Sequence, residues 1–158
     1  MRLALALART AGDRGEVPVG AVLVSGGRVL ARSHNQCIRR NDPTAHAEIT
    51  AIRRAGRLRG NYRLPDADLY TTLEPCVMCL GAIVQARLRR LCYGAADSKA
   101  GAVRSTMRFP FVKLNHRPEI SGGVLADECG RLLKDFFKAK RQRSARAAQP
   151  PANGHDTG

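Results

Sequence analysis

A chain of 158 residues, 44% of them apolar, is long enough to bury the core of one domain. No apolar run approaches the roughly 20 residues that span a bilayer, so no membrane partner is expected. Its 27 Lys plus Arg against 13 Asp plus Glu leave a formal charge of +14, which favours polyanionic partners.

The chain opens on Met1-Arg2-Leu3-Ala4-Leu5-Ala6-Leu7-Ala8, whose apolar stretch is interrupted at Arg9 with no cleavage-like site after it. This predicts a buried or amphipathic helix over residues 3–11 rather than a secretory signal. Residues 17–24 form an apolar, β-branched run that reads as a strand. Ser25-Gly26-Gly27 reads as a hairpin turn and residues 28–33 as its partner. A helix is expected over residues 45–55, a loop with Gly and Pro over 56–65, and a strand over 68–73. Then come a helix over residues 76–88 and a strand over 91–94. Residues 95–117 read as irregular, followed by a short strand at 119–121 and a long helix over 125–143. A hairpin followed by strand-helix-strand units implies a mixed sheet with helices on both faces. Residues 1–143 are thus one domain. Residues 144–158, rich in turn formers and poor in large apolar groups, are expected to be a disordered tail.

Two motifs carry chemistry: His46-Ala47-Glu48, and Pro75-Cys76-Val77-Met78-Cys79 beyond an intervening strand. A neutral imidazole and two thiolates suit Zn²⁺ in a tetrahedral site, and three protein ligands leave the fourth position for water. Zinc brings the pKa of such a water to about 7, and a carboxylate that is not a ligand can then carry protons. Glu48 is that carboxylate. The combination H-x-E with P-C-x-x-C is a known signature of zinc nucleobase deaminases. A purely structural zinc site would need a fourth ligand from His34, His116, Cys37, Cys92 or Cys129, none of which lies in a second paired motif. It would also leave Glu48 idle. With two of five cysteines assigned to the metal, a disulfide framework is not expected, and a reducing cytoplasm fits.

Asp42-Pro43-Thr44 supplies cap-forming side chains and a first-turn proline ahead of His46, and Pro75 does the same ahead of Cys76. Two amino-terminal helix ends are therefore expected to meet at the metal, where their dipoles favour thiolate. Cys76 and Cys79, three apart, share a face. His46 and Glu48 do not, and reach one site only if their first turn is aimed into it end-on.

Arginines cluster at 53, 54, 57, 59 and 63 and again at 87, 89 and 90, and the last helix carries Lys134, Lys138, Lys140, Arg141 and Arg143. Charge alone can be a solvated surface. Joined to a base-deaminase motif, it points to a polynucleotide. With four Phe, three Tyr and no Trp, stacking platforms are few, so charge and loop shape are expected to lead recognition.

Over residues 3–140 the chain resembles the bacterial tRNA-specific adenosine deaminases of the cytidine deaminase-like superfamily. The resemblance rests on Glu16-Val17-Pro18-Val19-Gly20-Ala21-Val22, Asp42 to Glu48, Asn61-Tyr62-Arg63-Leu64, Thr72 to Cys79, Asn115-His116-Arg117, Ala126-Asp127-Glu128-Cys129 and Asp135-Phe136-Phe137. It implies a three-layer α/β/α sandwich around a mixed five-stranded sheet. It further implies hydrolysis of adenosine to inosine at the wobble position of a tRNA anticodon stem-loop, tRNA-Arg being expected, in a cytoplasmic homodimer with one zinc per subunit. Carried over, His46, Cys76 and Cys79 hold zinc and Glu48 shuttles protons. Asn35 hydrogen-bonds the flipped purine, Val17 lines its pocket, and Asp97 contacts the neighbouring ribose or backbone. Phe136, Phe137 and Lys140 grip the anticodon loop. Asn35 is also a good turn residue, Asp97 a loop-solvating charge and the Phe pair ordinary core. A guanine or other free-nucleobase deaminase would share the metal centre and fold. Cys37 stands at the expected pocket rim, where relatives often carry another small or cyclic residue, and residues 104–114 diverge in length and composition.

Overall fold

The computed structural model describes residues 1–148. Its elements are α1 (Arg2–Asp13), β1 (Gly20–Ser25), β2 (Arg28–His34), α2 (Cys37–Arg40), α3 (Ala47–Arg59), β3 (Ala67–Leu73), α4 (Val77–Gln85), β4 (Arg90–Ala95), a 3₁₀ turn (Phe111–Lys113), β5 (Glu119–Ser121) and α5 (Ala126–Ala147). The strands form one sheet in the order β2-β1-β3-β4-β5. β1 is antiparallel to both β2 and β3, whereas β3, β4 and β5 run parallel. α1 and α5 pack on one face and on each other. α3 packs on the opposite face against β1, β2 and β3, with α4 beside it. This is the expected three-layer sandwich with a mixed five-stranded sheet.

The core lies mostly between the sheet and the α3–α4 layer, where Ala51, Leu80, Ile83 and Val84 meet Leu23, Leu69 and Leu91. On the other face α1 comes close enough that a Cβ on Gly20 would strike the backbone of Ala4 and Ala8. Only glycine permits that approach. The β1–β2 turn is the expected hairpin: Gly26 and Gly27 have φ of 55° and 73°, the double left-handed pair that a tight turn between twisted strands requires.

Several boundaries differ from expectation. β1 begins at Gly20 rather than at residue 17, because Pro18 has no N–H to give a ladder and Val19 N–H turns back to Val17 C=O (2.8 Å). α3 starts two residues late, with His46 as its cap, and runs through Gly56 to Arg59, where Gly60 at φ 60° ends it. The expected 56–65 loop is correspondingly short. α4 spans Val77–Gln85, not 76–88: Cys76 is its cap, and Arg87, left-handed at φ 57°, stops it. There Leu88 N–H reaches Ile83 C=O (3.2 Å) and Arg87 N–H reaches Val84 C=O (3.0 Å), a Schellman closure without glycine. The turn of helix α2 was not expected. α5 continues to Ala147, so residues 144–147, assigned to the disordered tail, are helical. The helix-forming run Ser144-Ala145-Arg146-Ala147 extends it. The rest of that tail, residues 149–158, lies outside the described residues.

Candidate active site

His46 and Cys76 are the N-cap residues of α3 and α4, and Cys79 lies in the first turn of α4. The two helix N-termini converge as expected. His46 Nδ1 lies 3.7 Å from Cys76 Sγ and 3.5 Å from Cys79 Sγ, and one ligand atom from each of the three residues falls within 4.8 Å of the others. One nitrogen and two sulfurs at such spacing fit a single soft-to-borderline cation with a coordination position to spare. Among the protein groups themselves, hydrogen bonding from Cys79 and His46 overcomes burial and holds the Cys76 thiol down at about 4. That same sharing with Cys76, together with burial and the nearby Glu48, pushes Cys79 up. The hydrogen bond to Cys76 raises His46.

Glu48, one residue into α3, is 3% exposed. Burial pushes its carboxyl above the usual carboxylate range, with His46 and Thr71 pulling the other way. The Thr71 hydroxyl on β3 donates to Glu48 Oε1 (3.3 Å), which aims the carboxyl from the sheet side. A carboxyl raised in this way beside His46, Cys76 and Cys79 suits a group that exchanges protons with whatever the pocket holds.

The first turn of α3 is not capped by Asp42 or Thr44. Asp42 Oδ1 instead accepts the Thr44 N–H (2.8 Å) and hydroxyl (2.6 Å) within its own turn. Asn35, at the end of β2, provides the missing acceptor: its Oδ1 takes the Ala47 N–H at 2.9 Å. Its amide Nδ2 has no partner among the described residues, and Asn35 lines a cavity of about 250 Å³ together with His46, Glu48 and Cys76.

Val17 and Asp97 line the same cavity, as do Cys37 and Ala100. Phe137 lies outside it, in an adjoining space of about 420 Å³ that shares Val17, Leu73 and Asp97 and carries Lys99, Lys134 and Arg141. Lys99 Nζ sits 5.8 Å from the centre of the Phe137 ring. Phe136 and Lys140 face a different groove, between α1 and α5, with Arg9 and Arg143. Six expected residues and Cys79 therefore gather at one place, and the three on α5 divide between two neighbouring surfaces.

Two carboxylates were assigned no role in the sequence and stand in the pocket wall. Glu16, 2% exposed, accepts the N–H groups of Ile38 (3.2 Å) and Arg39 (2.8 Å) and so holds α2, with Cys37 on it, over the site. Glu74, also 2% exposed, binds backbone from residues 97–105. Burial would raise the Glu74 carboxyl, but the Ser105 hydroxyl and the N–H groups of Arg104, Asp97 and Ser105 bring it below the ordinary value. An acidic residue directly before Pro-Cys, on a strand end that should be apolar, is the signal that singles it out.

Fold and site together define a hydrolytic deaminase of the cytidine deaminase-like fold. Residues 1–141 match the MafB19-like deaminase family. A tRNA-specific adenosine deaminase of Agrobacterium fabrum is 54% identical over 142 residues, covering 89% of this chain and 93% of that protein. A structure solved in a study of A-to-I editing by tRNA:A34 deaminases at the wobble position of transfer RNA is 54% identical. Its TM-score is 0.80, over 84% of this chain and 97% of the other. Guanine deaminase from Bacillus subtilis is further away, 34% identical with a TM-score of 0.60 over 89% and 90% of the two chains. The chain belongs to the family of tRNA-specific adenosine deaminases.

Proposed function

We propose that this protein converts adenosine to inosine by hydrolysis at the wobble position of a tRNA anticodon, with an arginine tRNA as the expected substrate. The observation that carries the reading is a buried Glu48 beside His46, Cys76 and Cys79 at the floor of a pocket small enough to take a single base. A zinc ion held by the three ligands would supply the Lewis acidity that makes water nucleophilic near neutral pH. Glu48 would take one proton from the attacking water as it adds to C6 of the purine and pass it to ring N1, then take the remaining proton of the new C6 hydroxyl and give it to the amine, which leaves as ammonia while C6 becomes a carbonyl. Asn35 Nδ2 is the free donor that meets a ring nitrogen of the flipped base, while its Oδ1 keeps α3 in place. Val17 closes the apolar side of the pocket.

The polynucleotide reading is favoured over a free base by what adjoins the pocket. Lys99, Lys134 and Arg141 stand in the next cavity, beside Phe137 and Asp97, where ribose and phosphate attached to a flipped adenosine would lie. Lys140, Arg143 and Phe136 extend the cationic surface further along α5. A base in an anticodon loop is already unpaired, so extrusion costs least there. A homodimer with one zinc per subunit is part of the proposal. No helix among the described residues is long and apolar enough to cross a membrane. Residence in the cytoplasm follows from the proposed substrate and fits five cysteines that are all free.

The test is sequencing of an arginine tRNA with adenosine at the wobble position after incubation with zinc-loaded protein, a Glu48→Ala control and, in parallel, free guanine. Inosine confined to that position and absent with the variant is the expected result. Guanine turnover without inosine would overturn the reading in favour of nucleobase metabolism.

A further inference from the structure

Residues 97–105 form no helix or strand, yet they wall the catalytic pocket through Asp97 and Ala100. Their backbone donors converge on one side chain. Glu74 Oε2 accepts the Asp97 N–H (3.1 Å) and the Ser105 hydroxyl. Its Oε1 accepts the N–H groups of Arg104 (2.7 Å) and Ser105 (3.1 Å). Glu74 is itself held at both ends: its N–H donates to Ala95 C=O at the end of β4 (2.8 Å), and Pro75 C=O accepts the Ala102 N–H (2.9 Å). Gly101 packs so closely that a Cβ there would lie 2.5 Å from Oε2. Among the described residues the Asp97 side chain does not bind outside this segment: its Oδ1 accepts the N–H groups of Lys99 (2.9 Å) and Ala100 (3.2 Å) within the loop.

We propose that Glu74 is a positioning residue for substrate: its carboxylate fixes the 97–105 loop as one wall of the pocket, so that Asp97, Ala100 and Lys99 meet the nucleotide in a set geometry. Glu74 touches no reacting atom in this role. It acts through the loop. The choice of an adenosine-containing RNA as probe rests on the function proposed above; the anchoring of the loop does not. Four hydrogen bonds to one carboxylate are charge-assisted and hold the loop at a low entropic cost to binding. A glutamine keeps one acceptor oxygen but turns an NH₂ donor toward groups that are themselves donors. Loss of the loop should therefore weaken binding of substrate and transition state alike, which is seen in KM and not in kcat.

The experiment compares the zinc-loaded unaltered protein with Glu74→Gln and Ser105→Ala. The readouts are kcat and KM on an anticodon stem-loop bearing wobble adenosine, bound zinc, and amide hydrogen exchange. For Glu74→Gln we expect KM to rise about tenfold or more, with kcat changed by less than about threefold, since hydrogen bonds to a charged group each carry about that much. Zinc should stay at one per chain, and the amides of Asp97, Arg104 and Ser105 should exchange at least about tenfold faster while those of β3 and β4 keep their protection. Ser105→Ala, which removes one of the four bonds and spares the carboxylate, should move the same quantities in the same direction by a smaller factor. It decides the matter if Glu74→Gln does not fold. Native protection of the loop amides with an unchanged KM would overturn the proposal. So would loss of zinc alongside the KM change, or faster exchange throughout the sheet, since either would make Glu74 a support for α4 or for the fold. If the unaltered protein deaminates no tRNA, the adenosine reading fails, and the exchange comparison alone still judges Glu74.

Discussion

Thr50 shows how closely α3 is fitted to the sheet. Its hydroxyl is buried and has no hydrogen-bond partner among the described residues. Replacing it by valine keeps the shape and removes an unsatisfied polar atom, so Thr50→Val should stabilise the fold by about 1 kcal/mol, read from the midpoint of chemical denaturation at unchanged slope. That His46, Glu48, Cys76 and Cys79 gather could be read from the sequence, because few chemistries need His-x-Glu and Pro-Cys-x-x-Cys together. What could not be read is how each is held. The acceptor for the Ala47 N–H is Asn35, twelve residues away, and not the cap-forming Asp42 or Thr44 next door. Local spacing carries no record of a partner delivered by a different strand. Glu74 was hidden for the same reason: its partners lie more than twenty residues on, in a loop with no periodicity to place it.

At the level of elements, legibility followed the strength of local rules. The β1–β2 hairpin was evident from paired glycines, whereas Pro43 and Pro75, expected in the first turns of the two helices that meet at the site, lie ahead of the caps His46 and Cys76 and outside both helices. The other ends of these helices were not evident either. Gly56 reads as a break but is carried inside α3, and α4 is closed by a left-handed Arg87 where glycine would have announced the stop. The turn leading into α3 yields a pH prediction. The Thr44 hydroxyl and N–H, with smaller help from Arg53 and Arg40, hold the Asp42 carboxyl below its ordinary value. A carboxyl lowered in the folded state adds stability that is full above its unfolded pKa of about 3.9 and lost as pH falls through the folded value. Asp42→Ala should therefore lower the denaturation midpoint at pH 7, and the gap from the unaltered protein should close as pH drops below about 3.9 toward complete protonation. A gap that persists unchanged under acid would mean that the turn owes nothing to the charge.

For the whole molecule, the charge of +14 acquires a direction once the helices are in place. Cations of α5 and of the 97–105 loop stand around the pocket mouth, whereas Arg59, Arg89 and Arg90 are paired with Asp66, Asp68 and Glu119 elsewhere. Three phosphate contacts at the mouth would give a slope of about −2 in log affinity against log salt for a single-stranded loop. The KM for a stem-loop should rise with salt accordingly, while turnover of any free base should stay flat. A flat response for both would detach the charge from substrate recognition.

The proposed ligands and proton carrier all come from the continuous stretch α3–β3–α4, residues 46–79, while most of the wall comes from three distant stretches, 16–19, 35–38 and 97–100, with Leu73 and Glu74 added from the first. Reactivity and selectivity are thus written in separate parts of the chain. Among the described residues only two side chains bind the parts together: Asn35 reaches from the wall to the first turn of α3, and Glu74 reaches from beside Cys76 to the 97–105 loop. A change of wall residue elsewhere would alter what the pocket admits while leaving these two ties, and the centre they serve, intact.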